Sequence, residues 1–543
     1  MRGAALLVLC GAAACADPPR LPDVCATDQP PPAPTVITDA VGRNDVTAAN
    51  LLIDVSAPLD PDGDLLRATD YEVWSANADG SARELVWTLR VESPHPPPVI
   101  LGLGTYLGSA AALGHLEAWE DHLLRARQTT VSPAGCEAVG AWSPFVGFRT
   151  DDGSSVVFDD LVVRDVEITL SPASYAAIDA EAEPPGCVPY QRSYYPGDVT
   201  FLGQTFAGAG VKVKGGCGSA RHLDEKAAFK ISLDWDDPAT AGCPAERRVN
   251  GLSGLTLNNM VQDKSLGRER LAYPLFAAMG VPVPRTAPVR VWLNGALLGH
   301  YLDVETVDRR FLARRFGSSH GMLYEGTYWC QLEAANIADD DSGCLTREFH
   351  PDPCEGPPAA DADPEDYTPL RTLIAQLDAL PDGGFYPAVT QLIDWDRYLS
   401  MWAVEALLSH WDGYTYNIVN NYRIYHDPST GLWTIIPSGL DQTFQRDSVD
   451  TWGPTGHLAQ RCLAEPACQA AFAARLREAV DVFEAMQLEA RRQGIYDQLV
   501  PLLAADPGRE FDRAAFERVN AETSQYIAIR PGQIRGELAA HGF

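Results

Sequence analysis

The chain is poor in positive charge. Against 73 Asp and Glu it sets 42 Lys and Arg in 543 residues, a formal net charge of −31 at pH 7 and a pI near 4.6. A phosphate backbone needs basic stripes, and nothing here supplies one, so nucleic acid is excluded as a partner. No two cysteines have the two-residue spacing of a zinc knuckle, the 11 His are scattered, and His-Glu-x-x-His is absent, which removes zinc knuckles and zinc proteases. The 45 Gly and 41 Pro follow no period, and collagen is excluded. Long apolar runs are also missing. Residues 99–116 carry no Lys, Arg, Asp or Glu, but their four glycines, His, Ser and Thr read as strand–loop–strand and not as a membrane span. With 46% hydrophobic and 21% charged residues, wholesale disorder is excluded, and the length suits two to four domains.

What is present begins with an address. Arg2, the apolar run Ala4 to Cys10 and the small residues to Ala16 form a secretory signal over 1–15, too short to span a bilayer. Cys15 follows small residues as in a bacterial lipoprotein cleavage box, which implies lipid on Cys15 or simple export to the envelope or medium. Ten further cysteines, at 25, 136, 187, 217, 243, 330, 344, 354, 462 and 468, allow up to five disulfides, with Cys462 and Cys468 close enough to clip a helix turn.

The organisation changes along the chain. Residues 16–34 are a Pro-rich tether. From 35 to 150, short alternating segments such as Leu51–Val55, Tyr71–Trp74 and Leu85–Val91 between turn clusters predict an all-β sandwich. Its closing segment, with Arg125, Arg127, Trp142-Ser143 and Phe148-Arg149-Thr150, resembles a fibronectin type III module, which implies a spacer or binding unit. Asp60-Pro-Asp-Gly-Asp64 reads as an acidic turn, because Tyr71 occupies the position where a calcium loop places its bidentate Glu. Over 155–540 strands come first, at Val162–Leu170, Val199–Leu202, Val211–Lys214, Phe229–Trp235 and Leu255–Leu257. A helix capped by Ser265 runs to Met279, and an Asn294-Gly295 hairpin joins Val289–Leu293 to Leu298–Val304. Helices then dominate: Arg309–Phe316, Leu370–Leu380, Trp395–Ser409, Glu465–Ala490 and Arg513–Ile529, interrupted by an acidic, Cys-bearing insertion at 330–366.

The chemistry concentrates in Ser409-His-Trp-Asp412-Gly-Tyr-Thr-Tyr-Asn417-Ile-Val-Asn-Asn421-Tyr-Arg-Ile-Tyr425 and in Gly439-Leu-Asp441-Gln-Thr-Phe444. A helix delivers Asp412, and a hairpin of Tyr422–Tyr425 and Trp433–Ile436 returns the chain to Asp441, 29 residues later. Phosphoryl transfer needs one carboxylate at the attacking hydroxyl, and an Asn with a second Asp to hold magnesium on the nucleotide phosphates.

These motifs resemble the CotH kinase family, named for spore coat protein H, over roughly 155–535. The resemblance also rests on Gly210-Val-Lys-Val-Lys-Gly-Gly216, Lys226-Ala-Ala-Phe-Lys230-Ile, Arg270-Leu-Ala-Tyr-Pro-Leu-Phe276 and Val291-Trp-Leu-Asn-Gly-Ala-Leu-Leu-Gly-His-Tyr301 with Val304-Glu305. It implies an α+β fold, a two-lobed protein-kinase-like domain preceded by the fibronectin III-like sandwich. It implies ATP with Mg²⁺ or Mn²⁺ and a protein substrate that is itself exported. Asp412 would be the catalytic carboxylate and Asp441 the metal-binding one, joined by Asn421 or by Asn417, which has the protein-kinase spacing. Lys226 would contact phosphate, with Lys230 or Lys214 behind it. Glu269 would pair with that lysine, and Glu305 would fall at a hinge beside the adenine. The glycine loop carries Cys217 where the family usually has Arg-Gly-Asn, and Ser438-Gly-Leu-Asp441 replaces Trp-Asp-Leu-Asp, which keeps a non-catalytic surface or coat-assembly protein open as the alternative.

One further motif competes. Gly317-Ser-Ser319-His-Gly321 fits the Gly-x-Ser-x-Gly elbow of serine hydrolases, but a helix precedes it and a strand follows, the reverse of what that elbow needs. Trp402, Trp411 and Trp433 read as core.

Overall fold

The computed structural model describes residues 25–38, 51–77, 79–95, 98–184, 186–188, 190–235, 247–317, 321–338, 343–348, 367–381, 383–445 and 449–543. The signal segment 1–15, residues 16–24 of the Pro-rich tether, Ser319, the Asp339–Asp341 run and residues 349–366 of the acidic insertion lie outside these, as do Cys243 and Cys354. The chain divides into two compact units between Gly153 and Ser154.

The first unit is nearly all β. Strands β1 (Val36–Thr38) and β2 (Ile53–Val55) pair antiparallel, and Ile53 also bridges Val99. The larger sheet joins β3 (Leu65–Ala76), β4 (Ala82–Val91), β5 (Thr105–Tyr106), β6 (Asp121–Val131), β7 (Glu137–Val139) and β8 (Val146–Arg149) in the order β5-β4-β3-β6-β7, with β8 also on β6. Strict alternation in β6 buries His122, Leu124 and Ala126 and turns Arg125 and Arg127 outward, where both guanidiniums stack on Trp142 at 4.5 Å. One core holds Ile53, Tyr71, Val73, Trp87, Val99, Leu124 and Phe148. The charge-free stretch 99–116 is not strand–loop–strand: it makes a 3₁₀ turn (Leu101–Leu103), the two-residue β5 and a short helix, α1 (Gly108–Leu113). Its glycines cost a longer strand too much entropy. At the acidic turn, Asp60 Oδ1 accepts from the Asp62 and Asp64 amides.

In the second unit, β9 (Arg164–Leu170), β10 (Tyr195–Phe201), β11 (Gln204–Lys214), β12 (Ala228–Ser232), β13 (Gly254–Asn258), β14 (Thr286–Leu293) and β15 (Ala296–Val304) close into a barrel in the order β10-β11-β12-β13-β15-β14-β9. The β9–β14 seam is parallel and the other pairs are antiparallel. Val166, Ile168, Val211, Val213, Phe229, Ile231, Val289, Val291 and Tyr301 fill it. Helix α2 (Pro172–Ala180) opens on Ser171, which caps the Ser174 amide, with Pro172 in its first turn. Helix α3 (Arg268–Ala278) starts three residues later than expected, because Asp263 and not Ser265 does the capping: its carboxylate accepts from the Gly267 and Arg268 amides at 2.9 Å.

The helical part contains α4 (Arg309–Phe316), α5 (Thr368–Ala379), α6 (Phe385–Val389), α7 (Trp395–Leu408), α8 (His457–Leu463), α9 (Pro466–Ala485), α10 (Leu488–Leu503) and α11 (Arg513–Ala540). A second sheet, β17-β16-β18-β19, lies among them, from β16 (Met322–Gly326), β17 (Leu345–Arg347), β18 (Tyr422–His426) and β19 (Trp433–Pro437). The single helix expected over 465–490 is two, broken where Gln487 turns left-handed (φ 50°). The last helix runs on through Pro531, because Tyr526, Pro531, Ile534 and Leu538 are buried and packing outweighs the lost hydrogen bond. Trp402 and Trp433 are core, and Trp402 stacks on Phe472 with centroids 3.6 Å apart, whereas Trp411 is half-buried. Among the described residues the disulfides are Cys25–Cys136, Cys187–Cys217, Cys330–Cys344 and Cys462–Cys468, the last clipping α8 to α9.

Candidate functional site

Helix α7 is capped by the Asp394 carboxylate on the Arg397 amide and is buried on every face from Tyr398 to Leu408. Such a helix is a fixed reference, and Ser409 ends it with a left-handed turn (φ 53°) and a 2.8 Å bond to the Tyr526 hydroxyl. The next residues fold back on the helix. Glu405, fully buried, accepts from the Tyr414 and Thr415 amides at 3.1 Å and faces His410 Nδ1 at 3.5 Å. Gly413 permits this: a Cβ there would lie 2.4 Å from Glu405 Oε1 and 2.5 Å from His410 Nδ1. Asp412 is 7% exposed, and Asn421 Nδ2 donates to its Oδ2 at 3.0 Å and its carbonyl at 3.1 Å. Its Oδ1 is buried without a hydrogen bond, 3.5 Å from His410 Nε2. Burial raises the Asp412 pKa, and the His410 charge opposes that rise.

The β18–β19 hairpin, in register from Tyr422↔Pro437 to His426↔Trp433, brings the chain back beside Asn421. The Ser438 amide donates to the Asn421 carbonyl at 2.8 Å. Gly439 (φ 61°) then turns the chain under the Asn421 amide, where a Cβ would come within 2.6 Å of it. Asp441 follows in a 3₁₀ turn. Its carboxyl is pushed up to about 8, first by burial and then by the charges of Glu269, Asp412 and Asp263. Glu269, 1% exposed on α3, is raised by burial as well, and its Oε1 has no hydrogen-bond partner.

These acids and Asn421 are hard oxygen ligands, and a divalent cation would relieve both the orphaned oxygens and the mutual repulsion. Asp412, Asp441 and Glu269 do not close into an all-carboxylate cage. Among the described residues that happens at Asp28, Asp62 and Asp64 in the first unit, whose ligand atoms lie within 4.8 Å of one another. An incomplete shell suits magnesium, which takes one or two carboxylates and completes its sphere with water and phosphate oxygens.

The lysines separate. Lys226, the first expectation for the phosphate contact, is buried against Asp506, Nζ to Oδ2 2.8 Å, with side-chain exposures of 3% and 1%. Burial lowers its pKa, and the largest charges acting on it are those of Asp506, Glu510 and Arg509. Lys230 faces Glu348 at 4.0 Å, and Glu348 also holds Arg423 at 2.7 Å, which in turn holds Glu325 at 2.8 Å. Lys214, at the end of β11, is the lysine under the influence of both Glu269 and Asp441, and burial brings it down to about 8. Its ammonium donates to Asn258 Oδ1, while Asn258 Nδ2 donates to Glu269 Oε2 at 3.0 Å, so Glu269 meets its lysine through an amide. Glu305 does not face this group. Its carboxylate is taken up by Arg285 at 2.6 Å and by Arg314, and its amide by the Arg285 carbonyl. Asn417 is exposed with φ 29°, and Asn421 is the asparagine that touches Asp412.

The glycine loop after Lys214 is tied down. Gly215 is left-handed (φ 109°), the Gly216 amide donates to Ser219 Oγ at 3.1 Å, and Cys217 is bridged to Cys187. The Cys217 amide donates to the Tyr328 hydroxyl at 2.9 Å, and the Tyr328 amide donates to Asn420 Oδ1 at 2.8 Å, linking the glycine loop to the loop of Asp412. Sequence reasoning missed Glu405, His410, Asn258 and Tyr328. Only His410 left a signal, as a His two residues before a candidate carboxylate.

A protein-family model described as CotH kinase protein matches residues 211–533. The chain is 26% identical over 307 residues to "Inner spore coat protein H" of Bacillus subtilis (strain 168), covering 54% of this chain and 80% of that protein. It is 24% identical over 258 residues to "Invasin CotH2" of Rhizopus delemar, covering 46% of this chain and 40% of that protein.

Proposed function

The chain belongs to the CotH kinase protein family, and from that premise we propose that it is an exported atypical protein kinase with a two-lobed, kinase-like second unit. It transfers the ATP γ-phosphate to Ser or Thr hydroxyls of exported or envelope proteins. The observation that carries this reading is the pairing of Asp412, held by Asn421, with Asp441, whose carboxyl is raised first by burial and then by the charges of Glu269, Asp412 and Asp263. An acid kept protonated by burial and by other acids costs the fold stability, and such strain concentrates where a cation or substrate is handled. Asp412 receives the proton of the attacking hydroxyl as its oxygen bonds phosphorus and ADP departs. Asp441 and Asn421 are the residues that would hold Mg²⁺ or Mn²⁺, which supplies charge neutralisation on the phosphates when bound. Lys214, steadied by Asn258 and Glu269, takes the phosphate-contacting role first expected of Lys226.

The first unit would act as a fibronectin III-like spacer. A lipid on Cys15 would hold the protein at the envelope, while cleavage without lipidation would release it. The test is to incubate purified protein with labelled ATP and magnesium or manganese. Label on the protein itself or on casein, lost in Asp412→Ala and Asp441→Ala, supports the reading. Absence of transfer with either metal rejects it. One observation favours a non-catalytic surface or coat-assembly role: the Cys217 amide of the glycine loop is already occupied by the Tyr328 hydroxyl. On that reading nucleotide binds without transfer, or not at all.

A further inference from the structure

Between β16 and β17 the chain is pinned on both sides of one residue. The Tyr328 amide donates to Asn420 Oδ1 at 2.8 Å, and the Tyr328 hydroxyl accepts from the Cys217 amide at 2.9 Å. The Cys330 amide donates to the Val419 carbonyl at 3.0 Å, its carbonyl accepts from the Tyr422 hydroxyl at 2.7 Å, and its sulfur is bridged to Cys344. Between these anchors stands Trp329, 59% exposed, with no hydrogen bond and no cation at its indole among the described residues. Its ring neighbour is Tyr328, with centroids 6.4 Å apart and planes tilted by 39°. Both residues are left-handed, at φ 39° and 61°, a conformation that bulky side chains rarely adopt and that the surrounding bonds must enforce. The fold bears two costs at one residue, a strained backbone and an indole left in water. Asn420 fixes where that indole stands. Its amide donates to the Gly413 carbonyl at 3.2 Å, one residue past Asp412, and its neighbour Asn421 holds the Asp412 carboxylate. Cys217 belongs to the glycine loop, so Trp329 is set where that loop and the loop of Asp412 meet.

We propose that Trp329 is a specificity-determining residue, an anchor on which the acceptor polypeptide lays a Lys or Arg side chain while its hydroxyl reaches Asp412. The proposal rests on the phosphotransfer reading. A hydroxyl arriving at Asp412 brings the rest of its chain past the junction of the two loops, and the exposed indole is the surface it meets there. The partner's chemistry follows from the ring and the charge. An indole face attracts a cation, a guanidinium above all, and a chain with a net charge of −31 draws basic segments and repels acidic ones. Because the bonds on either side already hold Trp329 in place, little ordering is lost when the acceptor binds.

The test reads the anisotropy of fluorescein-labelled peptides on full-length protein without ATP. The peptides share Ser, Gly, Ala and a common length, and carry Arg, Leu or Glu at the remaining positions. The Arg peptide should bind wild type most tightly. Its affinity should fall about fivefold to tenfold in Trp329→Ala and be largely regained in Trp329→Phe. The side chain is exposed, so both variants should melt with wild type. Equal binding in Trp329→Ala, tighter binding of the Leu or Glu peptide, or no binding to wild type overturns the proposal. So does a wild-type dimer in sedimentation that Trp329→Ala abolishes, since a second copy would then cover the indole. Binding needs no catalysis: peptide held through Trp329 by a protein that transfers no phosphate rejects the kinase reading and upholds the docking role. Where transfer occurs, Trp329→Ala should raise KM for the Arg peptide and leave kcat and the KM for ATP unchanged. A fall in kcat with an unmoved peptide KM refutes the specificity role.

Discussion

Replacing Asp441 by Asn should stabilise the metal-free protein, by an amount that grows with pH. The carboxyl is pushed up to about 8 from an ordinary 3.8, first by burial and then by Glu269, Asp412 and Asp263. Between those two values the folded chain keeps a proton that the unfolded chain releases. The contribution of a group whose folded pKa is raised is fully present below its unfolded pKa, and it is lost as pH rises to the folded one. At about 1.4 kcal/mol per pH unit, roughly three units between the unfolded value and pH 7 set a ceiling of about 4 kcal/mol. Relaxation of Glu269 and Asp412, and water around a partly exposed carboxyl, reduce that, and about 2 kcal/mol is expected. Asn has nearly the same shape and does not ionise, so the variant escapes the loss. Thermal unfolding in EDTA from pH 4 to 9 should show little difference at pH 4 and a gain of roughly 2–4 °C by pH 8. Adding magnesium or manganese should raise the wild-type midpoint and leave that of Asp441→Asn where it was. A variant that melts below wild type at pH 8, or a gain equal at pH 4 and pH 8, would refute the like-charge account of this acid.

Lys226→Met should leave Asp506 as an unpaired buried carboxylate and cost about 3–5 kcal/mol, read as a lower urea midpoint. Nucleotide affinity of the protein that remains folded should match wild type, and an unchanged midpoint would sink the buried-pair assignment. Gly413→Ala puts a methyl 2.4 Å from Glu405 Oε1, so the loop must move. A loss of about 1–3 kcal/mol is expected, and a wild-type melting curve would count against that geometry.

Local chemistry made much of the fold legible. Asn294 and Gly295 both adopt positive φ (49° and 80°), the requirement that makes Asn-Gly the hairpin signal, and the two strands register across them. Helix α4 begins at an Asp308 cap and ends at left-handed Gly317, so its bounds follow from two residues. The Ser171-Pro172 start of α2 was equally readable and was overlooked. The barrel was not readable, because its closing seam pairs Arg164 with Val289 in parallel, a contact between segments far apart in sequence. The choice among Lys214, Lys226 and Lys230 was not readable for the same reason. Lys214 ends β11, Lys230 lies in β12 and Lys226 sits in the turn before it, and what separates them is Asp506, Glu348 and Asn258, none of which is a sequence neighbour.

In a chain with so many acids, a buried carboxylate is weak evidence of function until its counter-charge is known. Burial raises Glu348, yet Arg423 and Lys230 overcome it and hold the acid down at about 2. Burial raises Glu305 too, yet Arg314 and Arg285 leave it below its ordinary value. Each of those acids has two cations beside it. Asp303 rises to about 7, chiefly through burial, but the Thr256 amide hydrogen-bonds it and Arg285 opposes the one like charge near it. Asp441 differs in kind, since three other carboxylates add to its burial. Lys214, itself brought down to about 8 by burial, lowers Glu269, while the Asp441 carboxyl still rises. Folding alone has no reason to gather acids there, and the missing positive charge is the most specific statement the site makes about its ligand.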